Sequence, residues 1–208
     1  MRLLLADDHQ IVREGLRGLL EKAGHEVVGE AADGHEACKL ARTLNVDIAV
    51  LDLSMPLLNG IDAAREIRSL SPAVKTIMLS MYPDKRYVLQ ALKVGAKGYV
   101  LKSQAATDLL RAIRVVASGE VYLSPEVAAS VVDAFVNKTD VAADPLTPRE
   151  RQVMQLVAEG SSTKAVAKIL NISFRTAESH RSHIMKKLGI HDVVALTRHA
   201  IQAGLVQL

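Results

Sequence analysis

Asp47-Ile48-Ala49-Val50-Leu51 is an aliphatic run that ends on the carboxylate of Asp52 and passes into Leu53-Ser54-Met55-Pro56, with Gly60 beyond. Because it is apolar at successive rather than alternate positions, it reads as a strand buried on both faces, the habit of a parallel sheet covered by helices. Outward from it, residues 2–6, 26–30, 75–79 and 98–101 form similar short runs. Thr76-Ile77-Met78-Leu79 is apolar enough to be a second central strand. Between the runs, residues 9–23, 34–44, 59–70, 84–94 and 105–118 return apolar side chains every three or four positions, as Leu16, Leu19, Leu20 and Ala23 show. Five strands alternating with five helices predict right-handed βαβ units, an α/β fold with a doubly wound, five-stranded parallel sheet.

The chain has 208 residues, 49% hydrophobic and 24% charged, which fits a globular protein of one or two domains and excludes disordered or collagen-like classes. Aromatics make up only 3%, with no Trp, so a site built on aromatic stacking starts at a disadvantage. The single Cys38 excludes an intrachain disulfide and a cysteine-rich zinc cluster, and points to a reducing compartment. Asp7 and Asp8 stop the opening Leu3-Leu4-Leu5-Ala6 run well short of a signal peptide, and no stretch reaches membrane-span length. A cytoplasmic location is expected.

The net charge of +3 becomes informative when divided. Residues 1–123 carry 16 Lys and Arg against 15 Asp and Glu, residues 124–146 carry 1 against 4, and residues 147–208 carry 9 against 4. A neutral first part, an acidic connector and a basic last part point to an anionic partner, nucleic acid, for the C-terminal segment. That segment opens on Thr147-Pro148-Arg149-Glu150, which has the form of a capping box with proline at the first helical position. Gly160 ends this helix, Ser162 caps the next, Ser173 a third that stops at Gly189, and Asp192 a fourth. Only Asn171-Ile172 separate the second and third, a spacing that fits a helix-turn-helix. We therefore expect a first domain over 1–120, a linker with a short helix over 121–145, and an all-α, four-helix domain over 146–208.

Ligands of open parallel sheets bind beyond the carboxyl ends of the strands. Those ends carry Asp7 and Asp8, Asp52, Ser80 and Lys102. Three adjacent carboxylates repel one another unless a cation joins them, and an all-oxygen set suits Mg²⁺. Lys102 supplies a fixed positive charge and Ser80 a donor, so the group is fitted to receive a phosphoryl group on a carboxylate. Taken singly, an Asp pair is more often a helix cap, and a lone Ser or Lys an ordinary solvated residue. The weight lies in all five standing in order at strand ends.

With these residues in place, Asp7-Asp8, Val50-Leu51-Asp52-Leu53-Ser54-Met55-Pro56, Gly60, Ser80 and Gly98-Tyr99-Val100-Leu101-Lys102 resemble the receiver domain of bacterial two-component response regulators. The resemblance implies a flavodoxin-like strand order 2-1-3-4-5. It makes Asp52 the phosphoacceptor for a sensor histidine kinase, and Asp7, Asp8, Asp52 and the Ser54 carbonyl the Mg²⁺ ligands. Ser80 and Lys102 would contact phosphoryl oxygens, and Tyr99 would turn into space that Ser80 vacates. The chain departs from the commoner pattern in carrying Ser80 where threonine is usual and Ser103 where many receivers have proline. Leu146-Thr147-Pro148-Arg149-Glu150, Gly160, Ser173, Thr176, His180, Ile184 and Lys187-Leu188 resemble the LuxR-type helix-turn-helix of the NarL/FixJ class. In that class residues 173–188 would lie in the major groove of double-stranded DNA. Glu178, Ser179 and Ser182 would face base edges, while Lys164, Thr176, His180, Arg181 and Lys186 would sit nearer phosphates. His180 and His183 are three apart, but without further ligands they fit a phosphate or surface role better than zinc.

The resemblance implies a phosphorylation-switched transcriptional regulator that dimerises when phosphorylated, with the fourth helix of the last domain (Val193, Val194, Leu196, Thr197, Ile201) supplying part of the contact. Two other readings exist. An aspartate-nucleophile phosphatase would need a general acid two residues after Asp52, where Ser54 stands, so no independent turnover is expected. A receiver-like regulator that binds DNA constitutively would not need so complete a pocket.

Overall fold

The computed structural model describes residues 1–81, 83–136 and 145–206. It divides into two compact units, 1–141 and 142–208. The first alternates β1 (Arg2–Ala6), α1 (Gln10–Lys22), β2 (Glu26–Ala31), α2 (Gly34–Thr43), β3 (Ile48–Asp52), α3 (Gly60–Leu70), β4 (Lys75–Ser80), α4 (Lys85–Val94), β5 (Gly98–Leu101) and, after a 3₁₀ turn, α5 (Ala105–Ala117). Two further elements follow, β6 (Tyr122–Leu123) and α6 (Pro125–Val136). All strand pairs are parallel, in the order β2-β1-β3-β4-β5-β6.

Every residue of β3 is buried, as its unbroken aliphatic run requires. Ile48 and Val50 join Leu3, Leu5, Ile77 and Leu79 in the layer under α1 and α5. Ala49 and Leu51 join Leu4, Ala6 and Met78 in the opposite layer, under α2, α3 and α4. Each fully buried leucine or isoleucine contributes about 1.5–3 kcal/mol relative to exposure, so the two layers fix which strands are central. The loop after β3 is folded tightly back: a Cβ on Gly60 would stand 2.1 Å from the carbonyl oxygen of Asp52. Only glycine lets α3 begin so close to the end of β3.

The sheet has six strands rather than the five expected. Tyr122 pairs with Gly98 and Leu123 with Tyr99, and the amide of Ser124 donates to the Tyr99 carbonyl at 3.1 Å. Two residues are too few to show a strand period, which is why β6 escaped a reading based on periodicity. Its presence also divides the expected linker of 121–145. Residues 122–136 pack on the first unit, where Val127 is fully buried beside Tyr87, Val88, Ala91 and Tyr99. Residues 137–144 of that expected linker lie outside the described residues.

The second unit consists of α7 (Pro148–Ala158), α8 (Thr163–Ile169), α9 (Phe174–Leu188) and α10 (Val193–Gln202). Thr147, Ser162, Ser173 and Asp192 each accept an N-cap hydrogen bond, and Gly189 ends α9 in the left-handed conformation. Asn171 takes a positive φ of 50° in the turn between α8 and α9, a conformation asparagine tolerates better than most residues. Val153, Leu156, Val166, Ala177, Ile184, Leu196 and Ala200 form the small interior.

Glu150 closes its capping box with Thr147 and also accepts from Lys187 Nζ at 2.7 Å, tying the start of α7 to the end of α9. Burial alone would raise its pKa, but Lys187 and the Thr147 amide and hydroxyl outweigh that and hold the carboxyl at about 2. A depressed carboxylate pKa stabilises the folded state above the ordinary value of 4.5, and that stability is lost as pH falls toward about 2. Glu150→Gln is expected to destabilise this unit by about 2 kcal/mol at neutral pH in urea unfolding, with the difference from wild type shrinking on acidification through that window.

Candidate functional site

The strand ends of the first unit bring Asp7, Asp8, Asp52 and Lys102 together. Asp52 is the last residue of β3 and only 3% exposed; Asp7 follows β1 and is 1% exposed. Lys102 follows β5, and its ammonium bridges the two carboxylates, 2.9 Å from Asp52 Oδ1 and 2.7 Å from Asp7 Oδ2. Asp8 lies at the solvent side, where its carboxylate meets His9 Nδ1 at 2.8 Å. The amide of His9 donates to Asp7 Oδ1 at 2.9 Å, which turns the chain into α1.

Burial raises the Asp52 pKa, and Asp7 and Asp8 raise it further; Lys102 opposes them, and the balance stands at about 6 against an ordinary 3.8. Burial works against the Lys102 ammonium too, but Asp52 and Asp7 more than compensate and raise its pKa. The cluster therefore holds three carboxylates against the one ammonium that bridges two of them. Its carboxylate oxygens are the kind of donor a hard, small divalent cation such as Mg²⁺ takes. Asp7, Asp8 and His9 also present three ligand atoms within 4.8 Å of one another.

Ser80 ends β4 and is 1% exposed. Tyr99 on β5 is fully buried and hydrogen-bonded to the Ser80 side chain; burial raises its pKa to about 12, against the Ser80 hydrogen bond, which lowers it. Without a phosphoryl group on Asp52, Tyr99 and Ser80 share the interior. Two neighbours went unpredicted. His9 carried no signal beyond standing next to an Asp pair. Arg13 looked like one more cation on an amphipathic helix, yet it donates to the Asp7 carbonyl at 2.5 Å.

In the second unit, α9 buries Ala177 and Ile184 and presents the opposite face outward. Glu178, Ser179, Ser182 and Lys186 are exposed on α9, as is Thr176 near its start, where the hydroxyl lies 2.8 Å from Ser173 Oγ. Lys164 on α8 is exposed as well. His180 and Arg181 are half-buried, and Arg181 reaches Thr163 Oγ1 at 3.4 Å, linking α9 to α8. Lys187 is committed to Glu150, and Arg149 to the Leu170 carbonyl at 2.6 Å. The fourth helix separates as its sequence could not: Leu196 and Ala200 turn inward, while Val193 and Val194 are 39% and 70% exposed. Among the described residues no helix is long and apolar enough to cross a membrane.

A doubly wound sheet with a lysine-bridged acidic pocket, followed by a capped helix-turn-helix, defines the class: the chain belongs to the response regulators with a LuxR-family DNA-binding domain. Residues 3–114 match the response regulator receiver domain, and residues 144–200 match the bacterial regulatory proteins of the luxR family. The transcriptional regulatory protein MctR of Rhizobium johnstonii is 37% identical over 208 residues, spanning 99% of this chain and 95% of its own. The oxygen regulatory protein NreC of Staphylococcus carnosus is 37% identical over 215 residues, spanning 99% of each. Among solved structures, RcsB of Salmonella enterica serovar Typhimurium, bound to the rprA promoter in the presence of the phosphomimetic BeF₃⁻, aligns over 96% of this chain and 97% of its own. Its TM-score is 0.66, at 30% identity.

A carboxyl with a raised folded-state pKa keeps its proton in the folded protein between pH 3.8 and about 6, where the unfolded chain has released it. Ionising Asp52 therefore subtracts stability as pH rises through that interval. In metal-free buffer at pH 7, Asp52→Asn is expected to stabilise the first unit by about 3 kcal/mol in thermal or urea unfolding, a gain that disappears below about pH 4.

Proposed function

We propose that this response regulator is switched by phosphorylation of Asp52, with a sensor histidine kinase as donor and Mg²⁺ as cofactor, and that the phosphorylated form binds operator DNA as a dimer. The observation that carries the reading is the buried Asp52 carboxylate held 2.9 Å from the Lys102 ammonium at the open end of the sheet. Asp7, Asp8, Asp52 and the Ser54 carbonyl would hold the cation, which when bound neutralises charge on the transferring group. The chain's own residues do the rest. An Asp52 oxygen attacks phosphorus in line, the bond from phosphorus to the kinase histidine breaks, and the leaving nitrogen keeps the electron pair. Lys102, already between two carboxylates, turns toward the new phosphoryl oxygens, and Ser80 donates to them. Because Tyr99 shares a hydrogen bond with Ser80, this movement reaches the ring and, through the β5–β6 pairing, the Tyr122–Leu123 strand. The protein accepts a group and does not turn over a substrate.

On the DNA side, α9 enters the major groove with Glu178, Ser179 and Ser182 toward base edges, while Lys164, Thr176, His180, Arg181 and Lys186 lie toward the backbone. Serine pairs with several bases and glutamate with cytosine N4, so selectivity is modest and much of the affinity is electrostatic. The exposed Val193 and Val194 provide apolar surface for a second copy. The DNA-bound, phosphomimetic state of the RcsB relative supports both the switch and the partner. As a regulator of this kind it acts in the cytoplasm.

Labelling with acetyl phosphate and Mg²⁺, followed by operator binding with and without the phosphoryl group, tests the scheme. Wild type should incorporate label and bind DNA more tightly when modified, and Asp52→Asn should do neither. Equal DNA binding by both proteins in both states would instead mean a constitutive regulator. Lys164→Ala or Lys186→Ala should weaken binding similarly on all sequences and reduce the slope of log K against log salt by about 1. Ser182→Ala should shift sequence preference and leave that slope unchanged.

A further inference from the structure

The guanidinium of Arg13 lies where β1, β2 and the first turn of α1 meet, with its side chain only 15% exposed. Its Nη1 donates to the main-chain oxygen of Asp7 at 2.5 Å, and its Nε faces Glu30 Oε2 at 3.4 Å. Glu30 uses its other oxygen on Arg17, 2.7 Å away. The Asp7 carbonyl belongs to the peptide that joins Asp7 to Asp8, the two acidic residues of the β1–α1 turn. On the other side of Asp7 its amide donates to the Ala31 carbonyl of β2 at 3.1 Å. The backbone of Asp7 is thus held at both its N–H and its C=O.

We infer that Arg13 is a positioning residue for the cation site, fixing the Asp7–Asp8 peptide so that the Asp8 carboxylate stays turned toward Asp7 and Asp52. The inference rests on the proposed Mg²⁺ role and deepens it. Asp7 is buried and bridged by Lys102, so its side chain has little freedom. Asp8 is exposed, and His9 meets it from the solvent side. Rotation of the Asp7–Asp8 peptide would swing that carboxylate out of the cluster, and the bond from Arg13 opposes this rotation. Lysine cannot replace the contact, because a point ammonium lacks the planar fork that meets a carbonyl and a carboxylate together. The guanidinium also places positive charge behind a turn that carries two negative ones.

Isothermal titration of the full-length protein with MgCl₂ tests this, comparing wild type, Arg13→Lys, Arg13→Ala and Glu30→Gln, with urea unfolding of each in metal-free buffer. Groups that orient metal ligands from behind typically contribute about 10- to 100-fold in affinity, and about tenfold is expected for Arg13→Ala. Arg13→Lys should lose several-fold while unfolding near wild type, and Glu30→Gln, which keeps the bond to the Asp7 carbonyl, should lose less than either. Acetyl phosphate labelling should slow at low Mg²⁺ and recover at saturating Mg²⁺, a split that general destabilisation would not produce. Unchanged Mg²⁺ affinity in both Arg13 variants, with wild type binding normally, overturns the positioning role. Absence of Mg²⁺ binding by wild type overturns the proposed cation site itself.

Discussion

The Lys102 ammonium, set between the carboxylates of Asp7 and Asp52, is the interaction on which the first unit's chemistry depends. Two buried carboxylates at the ends of adjacent strands cannot both remain ionised without a counter-charge, because the interior screens them poorly. One ammonium against three carboxylates, counting Asp8, leaves the cluster short of positive charge. Burial first, and that shortage second, explain why Asp52 is held at about 6, and the shortage is why a divalent cation fits. It also makes the arrangement changeable: a group that alters the charge on Asp52 alters what Lys102 and Ser80 must satisfy.

The second unit uses the same pair of residue types to the opposite end. Lys187 meets the single carboxylate of Glu150, whose remaining capacity is taken up by Thr147 in the capping box. One charge meets one charge, and the Glu150 carboxyl is held down at about 2 where Asp52 is pushed up. An ion pair balanced in this way closes a helix junction and leaves nothing for a ligand to complete. Of the basic residues on α9, Lys187 is thereby a structural one, and Lys186 beside it is exposed.

The sheet was legible in the sequence because β3 and β4 are aliphatic at successive positions, and their helices repeat at a clear period. The acidic pocket was legible for a related reason, since strand ends are where side chains gather and Asp7, Asp8, Asp52, Ser80 and Lys102 stand at them in order. The caps Thr147, Ser162, Ser173 and Asp192 were equally plain, because short polar side chains have a strong local reason to begin a helix. What stayed hidden depended on contacts between distant segments. Tyr122–Leu123 is too short for any period, and only its pairing with β5 makes it a strand. Arg13 gave no sign that its partner would be the Asp7 carbonyl, and Lys187 none that it would turn to Glu150. The buried position of Tyr99 follows from how it packs against Ser80 and Val127, which no local pattern reports.

Carbon-13 NMR titration of the Asp52 side-chain carboxyl in the metal-free protein tests the central claim most directly. A lysine-bridged, over-acidic pocket predicts a midpoint near pH 6, with a further upward move in Lys102→Met as the opposing charge is lost. A midpoint near the ordinary 3.8, unchanged by Lys102→Met, would mean that Asp52 is neither desolvated nor coupled to Lys102, and would contradict the account.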